Sequence, residues 1–142
     1  MAYNFFLDSD VILDFLMERY PHYQNSRELF EMNLKGDAGI YTTGSIVLKV
    51  QYLSQKIIGK PKAAQLVQKL LSLIEICVTS KEILLKAYNS SFADVEDAVQ
   101  YYSAIAEKSV DFFVTRNVKD YKYADEHLNI ITPAEAIKIL SN

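Results

Sequence analysis

Acidic residues recur at three places in this chain where an apolar run has just ended or a helix is about to begin. Asp8 and Asp10 follow the run Asn4-Phe5-Phe6-Leu7. Asp94 and Asp97 stand one helical turn apart at the head of an amphipathic stretch, so both side chains can face the same way. Asp120 comes a short loop after the run Asp111–Thr115, with Asn117 nearer the end of that run. Carboxylates that converge repel one another, and a hard divalent cation relieves the repulsion, because Mg²⁺ and Mn²⁺ take oxygen ligands and keep several waters. Such an ion can orient and polarise a phosphate and supply a hydroxide nucleophile. The chemistry these residue types suit is phosphodiester hydrolysis without a covalent enzyme intermediate.

Each residue also has a plainer structural use. Asp10 reads as the N-cap of the first helix, and Asp94 as the N-cap of a later one. Asp97 would favour a helix dipole wherever it pointed. Asp120 has Arg116, Lys119 and Lys122 nearby as surface ion-pair partners. Asp8, directly behind a buried strand, is the hardest to explain in this way. Asp14 and Glu18 are expected on the exposed side of the first helix. Cys77 reads as a small core residue, and His22 and His127 as incidental turn residues. Tyr101 and Tyr121 lie near the acidic segments and are candidates to stack on a base. The shared site requires that Asp8 lie within water-bridged reach of Asp97 or Asp120.

Composition narrows the classes further. The chain has 142 residues, 50% hydrophobic and 23% charged, with net charge −3. This is the balance of an ordinary globular domain, and one domain over residues 1–142 is expected. No apolar run approaches the ~20 residues that span a bilayer. The start MAYNFFLDSD lacks a basic leader and meets acids at once, so it does not read as a signal peptide. One cysteine excludes an internal disulfide and a cysteine-cluster zinc site. A cytoplasmic protein with no membrane partner is expected. The charge is uneven: from Ala38 to Ile74 there is no acid, but Lys49, Lys56, Lys60, Lys62 and Lys69 give +5, leaving −8 elsewhere. A basic band beside an acidic cluster suits an enzyme that grips a polyanion, although lysines spaced along solvated helices read the same way.

The acids must be positioned by strands that alternate with helices. Strands are expected at Asn4–Leu7, Gly39–Thr42, Ile76–Val78, Asp111–Thr115 and Ile130–Ile131. Helical stripes fall at 11–16, 23–34, 46–57, 64–74 and 95–106. Thr79 with Glu82 forms a possible capping box, and Thr132-Pro133-Ala134-Glu135 is a complete helix start. This alternation predicts an α/β fold, a parallel sheet sandwiched by helices, with ligands collecting at the carboxyl ends of the strands.

The ordered set FLDSDVILDFLMER, SFADVEDAVQYYSAI, FFVTRNVKDY and ITPAEAI resembles the PIN domain family over nearly the whole chain. That resemblance implies a PIN-like three-layer α/β/α fold and a Mg²⁺- or Mn²⁺-dependent ribonuclease. Asp8 takes the place of the family's first-strand aspartate, a direct metal ligand. Asp97, in Asp97-Ala98 through Ala104, takes that of the aspartate in its D-A-x-x-x-x-A helix. Asp120 supplies the last carboxylate and Asp94 an auxiliary one. Asp10 serves either the outer sphere of the metal or a second metal. Thr115, Arg116 and Asn117 match the T-R-N segment. One position departs: typical members carry Glu on the helix after the second strand, where TTGSIVLKVQYL places Lys49. A lysine there either pairs with Asp8 or Asp97 and weakens metal binding, or holds the scissile phosphate as a point charge.

The leading expectation is therefore a metal-dependent endoribonuclease acting on RNA, of the kind found as the toxin of a toxin–antitoxin pair, with an antitoxin protein as a partner. Tyr20, Tyr23 and Tyr52 offer apolar surface for a homodimer. A degenerate PIN module that binds RNA or a protein without cutting is the alternative that Lys49 raises. An aspartyl-phosphate phosphatase of the haloacid dehalogenase-like kind is a third reading, because Asp8-Ser9-Asp10-Val11-Ile12 follows its D-x-D-x-[TV] pattern.

Overall fold

Five short apolar segments in this chain cannot satisfy their backbone groups alone, and they do so by pairing in one sheet. The computed structural model describes residues 2–142. Its strands are β1 (Tyr3–Leu7), β2 (Ala38–Thr43), β3 (Glu75–Cys77), β4 (Phe112–Val114) and β5 (Asn129–Ile131). All pairings are parallel, in the order β3-β2-β1-β4-β5. The central strand carries the unbroken run Phe5-Phe6-Leu7, fully buried on both faces, as parallel sheets covered by helices require. In register, Phe5 to Leu7 lie beside Phe112 to Val114, and Phe6 stacks on Phe113 at 4.9 Å between ring centroids.

The helices among the described residues are α1 (Ser9–Leu16), α2 (Tyr23–Leu34), α3 (Gly44–Ile58), α4 (Lys60–Leu71), α5 (Lys81–Tyr88), α6 (Val95–Ala106) and α7 (Pro133–Leu140), with a 3₁₀ turn at Val118–Tyr121. Parallel strands need crossovers, and these are almost always right-handed. The chain walks from β1 to β2 to β3 in one direction, then jumps back to β4 on the other side of β1. Reversal of direction at fixed handedness puts the connecting helices on opposite faces. Accordingly α1 packs on α2 and α3, α3 on α4, and α2 on α7, while α5 packs on α6, which lies against β2 and β3. The layers are the α/β/α sandwich expected from the alternation.

The element ends follow from their residues. Thr132 and Glu135 make the reciprocal capping box expected of them. The box expected at Thr79 with Glu82 does not form: Ser80 caps α5 by accepting from the Ile83 N–H, which leaves Ile83 rather than Glu82 at the third position, and Thr79 instead shares a 2.8 Å hydrogen bond with Ser103 on α6. Gly59, at φ +86°, ends α3 and opens α4 in a single residue, a backbone conformation that a side chain would strain. Pro61 follows inside the first turn of α4, where its missing N–H costs nothing. Cys77 is buried on β3, as expected of a core residue. Among the described residues no helix is long and apolar enough to cross a membrane.

Candidate metal and phosphodiester site

Reversal of the strand order at β1 leaves a crevice between the carboxyl ends of β1 and β4, the place where open parallel sheets collect ligands. Asp8 is the first residue past β1, and Thr115, Arg116 and Asn117 are the first past β4. The Asp8 N–H donates to the Val114 carbonyl at 3.0 Å, so the ladder fixes its backbone. Its side chain is the N-cap of α1, with Oδ1 accepting from the Ser9 N–H at 2.8 Å. The cap expected at Asp10 therefore belongs to Asp8, because the strand ends two residues earlier than a cap at Asp10 needs. The other oxygen, Oδ2, accepts from the Thr115 hydroxyl at 3.0 Å and the Tyr121 hydroxyl at 2.9 Å.

Tyr121 joins Asp8 to a distant part of the chain. Its ring sits among Phe92, Phe113 and the 3₁₀ turn, 97% removed from solvent, and only the hydroxyl emerges between carboxylates. That hydroxyl also reaches Asp97 Oδ1 at 3.4 Å. A single phenol proton is thus offered to two acids 89 positions apart in sequence, which places Asp8 and Asp97 within the span of two hydrogen bonds. Burial first, then Asp8 and Asp97, push the phenol far above its ordinary range, so it stays a donor. The base-stacking roles considered for Tyr121 and Tyr101 do not survive: both rings are buried, and the Tyr101 hydroxyl accepts from the Glu126 N–H at 3.2 Å.

Asp97 reaches the crevice because α6 is fastened one turn later. Gln100, buried on the same helix, receives the Thr43 hydroxyl at the end of β2 and donates to Ser45 Oγ at the start of α3 at 2.9 Å. Asp97 is half-buried, and its pKa is pushed up to about 7 by burial first, then by Asp94, Asp8 and Asp120, against the opposing charge of Lys49. Asp94 caps α6 by accepting from the Glu96 N–H at 2.8 Å, the plain use foreseen for it, while still adding charge to the cluster. Asp120 lies exposed on the 3₁₀ turn, near enough to act on Asp97. No ion pair to Asp120 occurs among the described residues.

Asp10 and Asp14 both turn toward the segment after β4. Asp10 Oδ2 accepts from the Arg116 N–H at 3.0 Å and Asn117 Nδ2 at 3.2 Å, and its pKa is pushed up to about 6, mainly by burial and then by Asp8. Asp14, expected on the exposed side of α1, is instead fully buried. It accepts from Arg116 Nε at 2.7 Å and Arg19 Nε at 2.9 Å. The cause is the geometry of the helix. Positions four apart share a helix face, so the face that points Asp10 at Arg116 points Asp14 there as well. Arg116 in the T-R-N segment was the available signal, since a buried acid needs a cationic partner. Glu18 is exposed, as expected.

Lys49 also departs from expectation. Its ammonium is paired with Glu96 Oε1 at 2.8 Å rather than with Asp8 or Asp97. Its pKa is raised, first by Glu96, with Asp8 and Asp97 adding to the effect, so it carries its charge at neutral pH. His22 lines a separate cleft of about 340 Å³ beside Arg116, Thr132 and Pro133. His127 lies exposed in the loop before β5.

Among the described residues no three Asp, Glu, His or Cys side chains already converge tightly enough to hold an ion unaided. The donor set nevertheless suits a hard cation. Two carboxylates accept from one phenol hydroxyl, two further acids stand close by, and Mg²⁺ commonly needs only one or two carboxylates beside water and substrate phosphate.

Comparison with known proteins agrees with the fold. A chain in the crystal structure of VapBC2 from Rickettsia felis bound to a DNA fragment from their promoter is similar in fold, with TM-score 0.66 and 18% identity over 91% of this chain and 98% of that one. A chain in the structure of FitAB bound to an IR36 DNA fragment is similar as well, with TM-score 0.67 and 15% identity over 91% of this chain and 94% of that one. No curated protein sequence matches. The sequence pattern of the PIN domain covers residues 4–119, from the start of β1 into the 3₁₀ turn that carries Asp120. By that match, and by the sheet that brings its acids together, the chain belongs to the PIN domain family.

Proposed function

We propose that the protein is a Mg²⁺- or Mn²⁺-dependent endoribonuclease. The observation that carries this reading is the Tyr121 hydroxyl set between Asp8 and Asp97 at the carboxyl end of the central strand. PIN domains are generally nucleases, and a metal-assisted hydrolase needs such a pair of acids at such a place. Asp8 and Asp97 would hold the ion, with Asp120 and Asp94 adding negative charge around it. When bound, the ion would activate the phosphodiester and the attacking water. The chain's own groups do the rest. Thr115 and Tyr121 orient the Asp8 carboxylate. Asp10 ties the Arg116 backbone and the Asn117 side chain to α1, and Asp14 holds the Arg116 side chain. Lys49 adds a cation at the rim that faces an incoming polyanion.

The family assignment weighs against the aspartyl-phosphatase reading. The similar structures VapBC2 and FitAB are toxin–antitoxin complexes on DNA, and on that likeness we assign this chain the toxin role with a small antitoxin as partner. The exposed Tyr20 and Tyr52 supply apolar surface for such a partner or for a second copy. Incubation of purified protein with single-stranded RNA tests the reading. Cleavage should require Mg²⁺ or Mn²⁺, stop with chelator, and fall at least about a hundredfold in Asp8→Asn. Full metal-dependent cleavage by both Asp8→Asn and Asp97→Asn would place the chemistry elsewhere.

A further inference from the structure

Lys49 and Glu96 face each other across the rim of the acid cluster, one from the second turn of α3 and one from the first turn of α6. Their side chains are 44% and 53% exposed, so the ion pair contributes little to stability. Its effect is on placement. Glu96 immediately precedes Asp97, and neighbouring residues on a helix point about 100° apart. One carboxylate therefore faces α3 and Lys49, while the next faces Tyr121 and Asp8. A lysine carries a compact charge on a flexible four-carbon stem with three donors. Freed from Glu96, the ammonium finds its nearest anions in Asp97 and Asp8, the two groups whose field it already shares. An ammonium seated there would neutralise the charge that a divalent ion needs.

We propose that Glu96 is a positioning residue that parks the Lys49 ammonium beside the acid cluster, keeping it out of the cluster, and so sets the affinity of the cluster for a divalent cation. The proposal rests on the reading of Asp8 and Asp97 as the ion's carboxylates. It explains how a chain with lysine at this position keeps a usable site: the lysine comes with its own counter-ion. It also assigns Glu96 a function that its exposed position on a helix would not suggest.

The test is calorimetric titration of Mn²⁺ alone into chelator-treated protein, with the EPR signal of free Mn²⁺ as a second measure. The proteins are wild type, Glu96→Gln, Lys49→Gln and the double variant. Glu96→Gln should weaken Mn²⁺ binding about tenfold, because the freed ammonium turns onto the cluster, and Lys49→Gln should tighten it by a similar factor, because that cation is gone. The double variant should match Lys49→Gln, because Glu96 acts only through Lys49. Glu96→Asp, which keeps the carboxylate, should restore much of the loss. Melting curves of the metal-free proteins should agree within a few degrees, as expected for an exposed pair.

An equal loss on Glu96→Gln with and without Lys49 would make Glu96 a ligand and overturn the proposal. Wild-type binding that no variant alters would overturn it as well, while leaving the divalent-ion reading intact. Uptake of Mn²⁺ by Lys49→Gln but not by wild type would overturn it too, because Glu96 would then fail to keep Lys49 from blocking the cluster. No uptake by any of the four proteins would remove the divalent-ion reading and the proposal together.

Discussion

Replacing Asp97 with asparagine should make the metal-free protein more stable at pH 8, although it removes a residue of the site. Burial and the charges of Asp94, Asp8 and Asp120 raise the Asp97 pKa from 3.8 to about 7. A tenfold change in proton affinity is worth about 1.4 kcal/mol, so the full displacement corresponds to ~4 kcal/mol. Asp97 is only half-buried, and solvent screening reduces that to roughly 1–2 kcal/mol. The sign follows from proton binding. Between pH 4 and pH 7 the folded chain holds a proton on Asp97 that the unfolded chain has released, so stability falls as pH rises through this window and stays low above it. The asparagine side chain carries no charge to repel and can still accept from the Tyr121 hydroxyl. In chelator at pH 8, Asp97→Asn should melt roughly 3–6 °C above wild type. Near pH 4 the two curves should coincide, because the charge repulsion around Asp97 is then largely relieved by protonation. The other raised carboxyl, Asp10, is present in both proteins and cancels.

Divalent metal should reverse the order. At a concentration of Mn²⁺ one hundred times its dissociation constant, wild type gains ~2.7 kcal/mol and the variant, short of one carboxylate, gains less. Thermal unfolding followed by circular dichroism at pH 4, 6 and 8, with chelator and with Mn²⁺, reads all of this. A variant less stable than wild type by the same amount at every pH would show that Asp97 is not held among repelling charges, and the crowding argument for the site would fail.

Three further outcomes follow from the same geometry. Asp14→Ala strips a fully buried carboxylate from Arg19 and Arg116, leaving partly buried guanidinium charge without its partner, and should cost about 3–5 kcal/mol in urea unfolding. Mn²⁺ affinity should rise with pH between about 5 and 8, because Asp97, at about 7 in the metal-free protein, must lose its proton to hold the ion; an affinity independent of pH across that range would detach Asp97 from the ion. Gln100→Ala breaks the buried links from α6 to Thr43 and Ser45 and should cost roughly 1–3 kcal/mol. It should also weaken Mn²⁺ binding without touching a ligand, measurable by calorimetry, because Asp97 rides on the same helix one turn away.

What the sequence determines by itself here is whatever depends on neighbours along the chain. The Phe5-Phe6-Leu7 run, the Thr132–Glu135 box and the 3.6-residue apolar stripes are local patterns, and the parallel sheet with its helices follows from their alternation. The acids at strand ends and helix starts were legible for the same reason, and so was their likeness to the PIN domain. The local pattern could not say which way a side chain turns when two distant segments meet. Asp14 and Glu18 look alike in sequence, yet one is buried between two arginines and the other is exposed, because α1 ends at Leu16, before Glu18 could join the face that the segment after β4 covers. Tyr121 looked like a surface ring for stacking until the Phe92 and Phe113 rings enclosed it and left its hydroxyl between two carboxylates. Lys49 had several acids within plausible reach, and the angle between consecutive residues on α6 assigned it to Glu96. Charge pairing depends on distance through space, and in this protein the order reversal at the central strand sets those distances.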